Sequence, residues 1–194
     1  MASLRPRGPI LAFVSVVLAA CASATSTASP PGPSPTEAPP PPASSYPEYA
    51  AAACTALQSV WRAYGNPETS EMSPMYRVFD ESVKEGDVTA ANSRAAEVHA
   101  ELDRGRASAG IAAGWPPGTA SMIQLDRLLR AMEAMVEAKL AATALGHLEA
   151  TNRGQAAFEA AGGIDAWYGM LGGIDAAAKA AGRPWPACEG VPIG

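Results

Sequence analysis

Residues 122–136 read MIQLDRLLRAMEAMV. Met122, Leu125, Leu129, Met132 and Val136 recur at steps of three and four, and Leu128 and Met135 widen the stripe. That is the period of an α-helix with one buried face. The pattern predicts the strongest helix of the chain, from Ala120 to Ala150, with a turn at Asn152-Arg153-Gly154 and a last helix from Gln155 to Ala181. Gly182 and Pro184 stop that last helix.

Working outward towards the N-terminus, Trp115-Pro116-Pro117-Gly118 is a break, since neither proline can donate to a helix ladder. Before it, Ala91, Ala95, Val98, Leu102, Gly105, Ala109 and Ala112 keep a heptad spacing. Gly86-Asp87 precedes them, with Asp87 placed as a cap. Met75, Phe79 and Val83 predict a short helix opened by Ser73 as cap and Pro74 in the first turn. Ala50, Ala53, Leu57, Val60 and Tyr64 share a further stripe with Trp61 beside it, ended by Gly65-Asn66-Pro67. Period-2 alternation of β-branched residues is missing from this part of the sequence, so the expected class is all-α.

The last helix holds an oddity. GGIDA occurs at 162–166 and again at 172–176, with Gly169 between. Five glycines at about 1 kcal/mol each are a heavy cost for an exposed helix. Yet Ala160, Ile164, Trp167, Leu171, Ile174, Ala178 and Ala181 hold one phase through them. One helix is therefore expected, with Gly162, Gly169, Gly173 and Trp167 forming a face for a ligand or a closely packed neighbour. Two shorter helices, each entered after a Gly-Gly and capped by Asp165 or Asp175, are the alternative.

The N-terminus has a different composition. Arg5 and Arg7 precede an apolar run from Ile10 to Ala20, the layout of a secretory signal. That run is about half of the 20 apolar residues a spanning helix needs. Leu18-Ala19-Ala20-Cys21 resembles the lipobox of bacterial lipoproteins, in which a diacylglyceryl group joins the cysteine thiol and the chain is cut just before it. The resemblance implies a signal peptide at 1–20, a lipid on Cys21 and a chain held stably on a membrane by two acyl chains. Residues 21–45 are Ser, Thr, Ala and Pro with almost no large apolar side chain, which predicts a disordered stalk. Its 24 residues after Cys21 would reach roughly 70 Å as extended polyproline.

Removal of Arg5 and Arg7 takes the formal charge from −5 down by two to −7. An acidic chain of this kind is a poor partner for nucleic acid or anionic headgroups, so the lipid alone would tether it. With Cys21 carrying lipid, Cys54 and Cys188 remain, an even number in a compartment that permits disulfides. A bridge between them would close almost the whole domain, residues 46–194. Two buried free thiols are the alternative. Because Cys54 lies near the start of the first helix and Cys188 just past the last, they meet only after an even number of traverses. The expected architecture is an antiparallel four-helix bundle with a short extra helix, closed by one disulfide.

Chemistry is sparse. HExxH, CxxC, P-loop and GxGxxG signatures are all missing, and RASAG around Ser108 lacks the glycine a nucleophile elbow needs. His99 and His147 fall on different helices without a glutamate three residues before either, and single surface histidines are expected. Met72 with Met75, and Met132 with Met135, could offer paired thioethers to Cu(I), although core packing explains the second pair equally well. Glu133 with Glu137 reads as a solvated acidic face, as do Asp165 and Asp175, and Trp115 as the cap of one end of the bundle.

No cofactor is expected. The globular part resembles uncharacterised Ala-rich helical lipoproteins of high-GC bacteria. The resemblance implies a lipid-anchored protein on the extracytoplasmic side of the cell membrane or outer membrane. Its helical domain would act without catalysis, binding an envelope protein or a small apolar ligand. The rival expectation is a copper-binding bundle using Met and His.

Overall fold

A computed structural model describes residues 40–66, 69 and 71–191. The expected signal peptide, Cys21 and the expected stalk up to residue 39 lie outside the described residues. The fold is mostly helical, with six α-helices and one two-stranded ladder among the described residues.

Helix α1 (Tyr46–Ala63) carries its apolar stripe as the spacing predicts, burying Tyr49, Ala53, Leu57 and Val60. The chain then makes a small antiparallel hairpin, β1 (Gly65–Asn66) pairing with β2 (Glu71–Met72), which the sequence pattern gave no sign of. Gly65 makes it possible. Its φ is 121°, and a Cβ there would stand 1.9 Å from the carbonyl oxygen of Glu71. Helix α2 (Pro74–Glu85) opens as expected, with the Ser73 hydroxyl accepting from the Tyr76 N–H. Gly86, left-handed, ends it, and the Asp87 carboxylate caps α3 (Val88–Ala112) by accepting from Ala90 N–H. All seven heptad positions of α3 are buried.

After the 3-10 turn at Pro116–Gly118, α4 (Thr119–Ala141) buries its whole predicted stripe from Met122 to Val136. The helix does not reach Ala150. It ends at Ala141, a 3-10 turn follows at Thr143–Leu145, and Gly146 at φ 98° redirects the chain into α5 (His147–Ala160). The predicted turn at 152–154 lies inside α5. Gly154 is helical because its missing side chain lets α5 settle on α4, where a Cβ would stand 3.1 Å from Met135 O and 3.2 Å from Lys139 Cβ. Close packing there outweighs the helical cost of glycine.

The last predicted helix is also divided. Gly162 is left-handed at φ 73° and separates α5 from α6 (Gly163–Ala180), which runs unbroken through Gly169, Gly172 and Gly173. The first Gly-Gly is thus a break and the second is not. Of the expected stripe, Trp167, Ile174 and Ala178 are buried together with Ala166, Met170 and Ala177, whereas Ile164 in the first turn of α6 is exposed.

Helix α3 packs between α1 and α4, α2 lies on α3, and α5 and α6 both pack on α4. The largest fully buried side chains are Tyr49, Phe79, Leu57, Leu102, the α4 stripe and Met170 with Ile174. Packing against the domain begins before Tyr46. Ala43 is buried, and its N–H donates to Ile111 O (2.9 Å), a carbonyl in the last turn of α3 that otherwise accepts only in the closing turn, from Gly114 N–H (3.2 Å).

Candidate functional site

The polypeptide after α6 does not leave the domain. Residues 182–191 run back along α1 as a strap fastened in order of sequence. The Tyr46 hydroxyl donates to Pro184 O (2.5 Å), Cys54 is bridged to Cys188 with Cα atoms 5.1 Å apart, and Gln58 Nε2 donates to Glu189 O (3.0 Å). Val191 is buried, and its N–H closes a turn on Cys188 O. Ordering ten residues costs on the order of 10 kcal/mol in backbone entropy. Two hydrogen bonds, buried Val191 and partly buried Trp185 offset part of that. The covalent bridge, which spans 134 residues of sequence, therefore decides whether the strap stays in place.

Where the strap ends, a cleft of about 470 Å³ opens between α1, the hairpin and the start of α2. Trp61, Met72 and Pro74 supply apolar surface, Arg62 and Glu71 bring opposite charges, and Glu189 and Gly190 form the strap's side. Trp61 is held from behind by Trp167 of α6, with ring centroids 5.7 Å apart. The cleft offers a half-buried indole edge with backbone and charged groups around it, a surface suited to binding rather than to bond making.

Beside α2, a second cluster is charged and closed. Lys139, 3% exposed, donates to the Asp80 carboxylate from α4 to α2, and its ammonium lies 5.3 Å from the Tyr76 ring centroid. His147 Nε2 is 3.2 Å from the same Asp80 oxygen. Burial works against ionised Asp80, but the hydrogen bonds and charges of Lys139 and His147 outweigh it and hold its carboxyl below the usual range. Burial pushes the Tyr76 phenol well up. Between α3 and α4, Arg106 makes two hydrogen bonds to Glu133 (2.6 and 3.1 Å) and one to Asp103 (2.6 Å), and the Arg106 bonds hold Glu133 below its usual value. Buried Glu101 accepts from Ser59 (2.9 Å) and from Arg104 and stands 3.6 Å from Arg62. These charges are paired across helix seams and fix helix positions.

Compared with known proteins, the chain matches no family model, no curated protein and no solved structure.

The expected site residues are distributed as follows. Gly169 and Gly173 face α4, where Cβ atoms would meet the Gln124 side chain at 3.2 Å and Ser121 Cβ at 2.7 Å. Gly162 lies against the Arg127 guanidinium, and Trp167 is buried. The glycine face is thus filled by α4. Neither histidine is a lone surface group: His99 Nε2 is 3.3 Å from Glu137 and His147 meets Asp80. Glu133 and Glu137 accordingly face α3 rather than forming a free acidic face. Met132 and Met135 are buried in the core, and Met72 belongs to β2, ahead of the helix that holds Met75. No group of three or more His, Cys, Asp or Glu able to hold a metal occurs among the described residues. Trp115 packs on Tyr46 and Tyr49 with centroids 5.6 and 5.0 Å away, closing that end of the helices. The cleft is a site that sequence reasoning missed. The only available signal was the cysteine pair, which brings residues 189–190 beside the end of α1.

Proposed function

We propose that this chain is an exported, lipid-anchored binding protein without catalytic activity, held on the extracytoplasmic side of the cell membrane or outer membrane. Cys21 carries the lipid, the Pro/Ser/Thr-rich segment spaces the domain from the surface, and the cleft beside Trp61 receives an envelope protein or a small apolar ligand. In this reading α1, α3, α4 and α6 are the members of an antiparallel four-helix bundle, with α2 and α5 as short additions. Opposed sequence order across the seams supports it: Ala43 meets Ile111 while Ser59 meets Glu101, and Gly162 lies at Arg127 while Gly173 lies at Ser121.

The observation that carries the binding half is the position of the cleft. The chain joins the domain at the N-terminal end of α1, where Ala43 is pinned to α3. The cleft lies at the other end of the same 18-residue helix, about 27 Å away. The cleft therefore lies clear of the point where the chain enters the domain. Asp80, Glu133 and Arg106, whose pKa values are displaced by charged partners, belong to ion pairs outside the cleft lining, which favours binding over catalysis.

Photo-cross-linking in intact cells tests this, with the probe placed at Met72 in the cleft or at Ala100 on the exposed side of α3. A defined product from Met72 and none from Ala100 is expected. Equal products from both positions, or none from Met72, would sink the reading.

A further inference from the structure

The strap at 182–191 contributes none of the largest fully buried side chains, which run from Tyr49 to Ile174. Its bridge and its side-chain hydrogen bonds fall on α1, at Tyr46, Cys54 and Gln58, and only Trp185 and Val191 of the strap add large apolar side chains packed against the core. Glu189 and Gly190, which wall the cleft, follow Cys188 directly in sequence. The bridge therefore holds the cleft's outer wall, while the helices hold one another through α3 and α4.

We infer that the Cys54–Cys188 bridge is a redox latch on the cleft. Oxidised, it fastens the strap along α1 and completes the site. Reduced, it frees the strap and leaves Trp61, Met72 and Pro74 on an open surface, with the helical core intact. The reductant is a dithiol. One of its thiolates attacks a sulfur of the bridge and forms a mixed disulfide, and its second thiol closes a cyclic disulfide. Two electrons and two protons pass to Cys54 and Cys188, which end as free thiols. Export to an oxidising compartment then becomes the step that finishes the site. This inference rests on the cleft being the binding site, but its test reads the strap itself and needs no ligand.

The test is amide hydrogen exchange on the full chain, comparing the oxidised protein, the protein reduced by a dithiol, and the Cys54→Ser/Cys188→Ser variant, with helicity followed by far-ultraviolet circular dichroism. In both bridge-free forms, exchange of residues 183–191 should accelerate at least tenfold and that of Trp61–Asn66 should rise, while Met122–Val136 stays protected and helicity is unchanged. Protection of 183–191 that survives loss of the bridge would overturn the latch. So would loss of helicity in the variant, because the bridge would then be holding the core and not the strap. The cross-linking at Met72 can fail without affecting either outcome.

Discussion

Gly173 of α6 lies so close to Ser121 of α4 that a Cβ on it would stand 2.7 Å from Ser121 Cβ and 2.9 Å from its Cα, whereas Gly172, its neighbour, faces open space. The two glycines therefore answer substitution with opposite signs. Gly172→Ala removes the helical cost of glycine and should raise stability by about 1 kcal/mol. Gly173→Ala forces α6 away from α4 and should lower it by about 2 kcal/mol. Thermal unfolding of the two variants checks this, and a gain in both would mean that α6 does not pack on α4 through that face.

The helix breaks make a second pair of signs. In a continuous helix, Gly146→Ala and Gly162→Ala would each stabilise by about 1 kcal/mol. Here both positions hold positive φ, so Gly162→Ala, left-handed at 73°, should cost about 1 kcal/mol and push the Arg127 guanidinium aside. Gly146→Ala should cost more, about 2 to 3 kcal/mol, because φ 98° with ψ 157° is a conformation essentially confined to glycine. Urea midpoints that rise for either variant would restore the longer helix that periodicity predicts.

Acid should weaken the domain through Asp80 and Glu133. Both carboxyls are held below their ordinary values of 3.8 and 4.5, so both are harder to protonate folded than unfolded. The stability they contribute is complete above those ordinary values and is lost as pH falls through the lower folded ones. Asp80→Asn should flatten the acid side of a stability–pH curve. At pH 7 it should also cost on the order of 3 kcal/mol, because it leaves the Lys139 ammonium buried without its countercharge. Adding Lys139→Met should recover most of that loss. An unchanged acid slope in Asp80→Asn would show that the pair does not govern it.

Much of the helical content can be read directly from residue spacing. The stripes of α3 and α4 are legible because their apolar positions stay on one face for many turns, and the caps at Ser73 and Asp87 because their chemistry is local. Gly154 and Gly162 escape periodicity for one reason. Whether a glycine breaks a helix or lets a neighbour approach depends on what lies across from it, and Met135, Lys139 and Arg127 belong to other helices. The cleft was illegible because Trp61, Met72 and Gly190 come from three segments joined only through the bridge and the hairpin.

Intact-mass spectrometry of the protein extracted from membranes tests the proposal that the domain is exported and held by lipid at Cys21. The predicted species begins at Cys21, carries a diacylglyceryl group there and retains the Cys54–Cys188 bridge. An unmodified Cys21, or a chain cut at another position, would contradict the account.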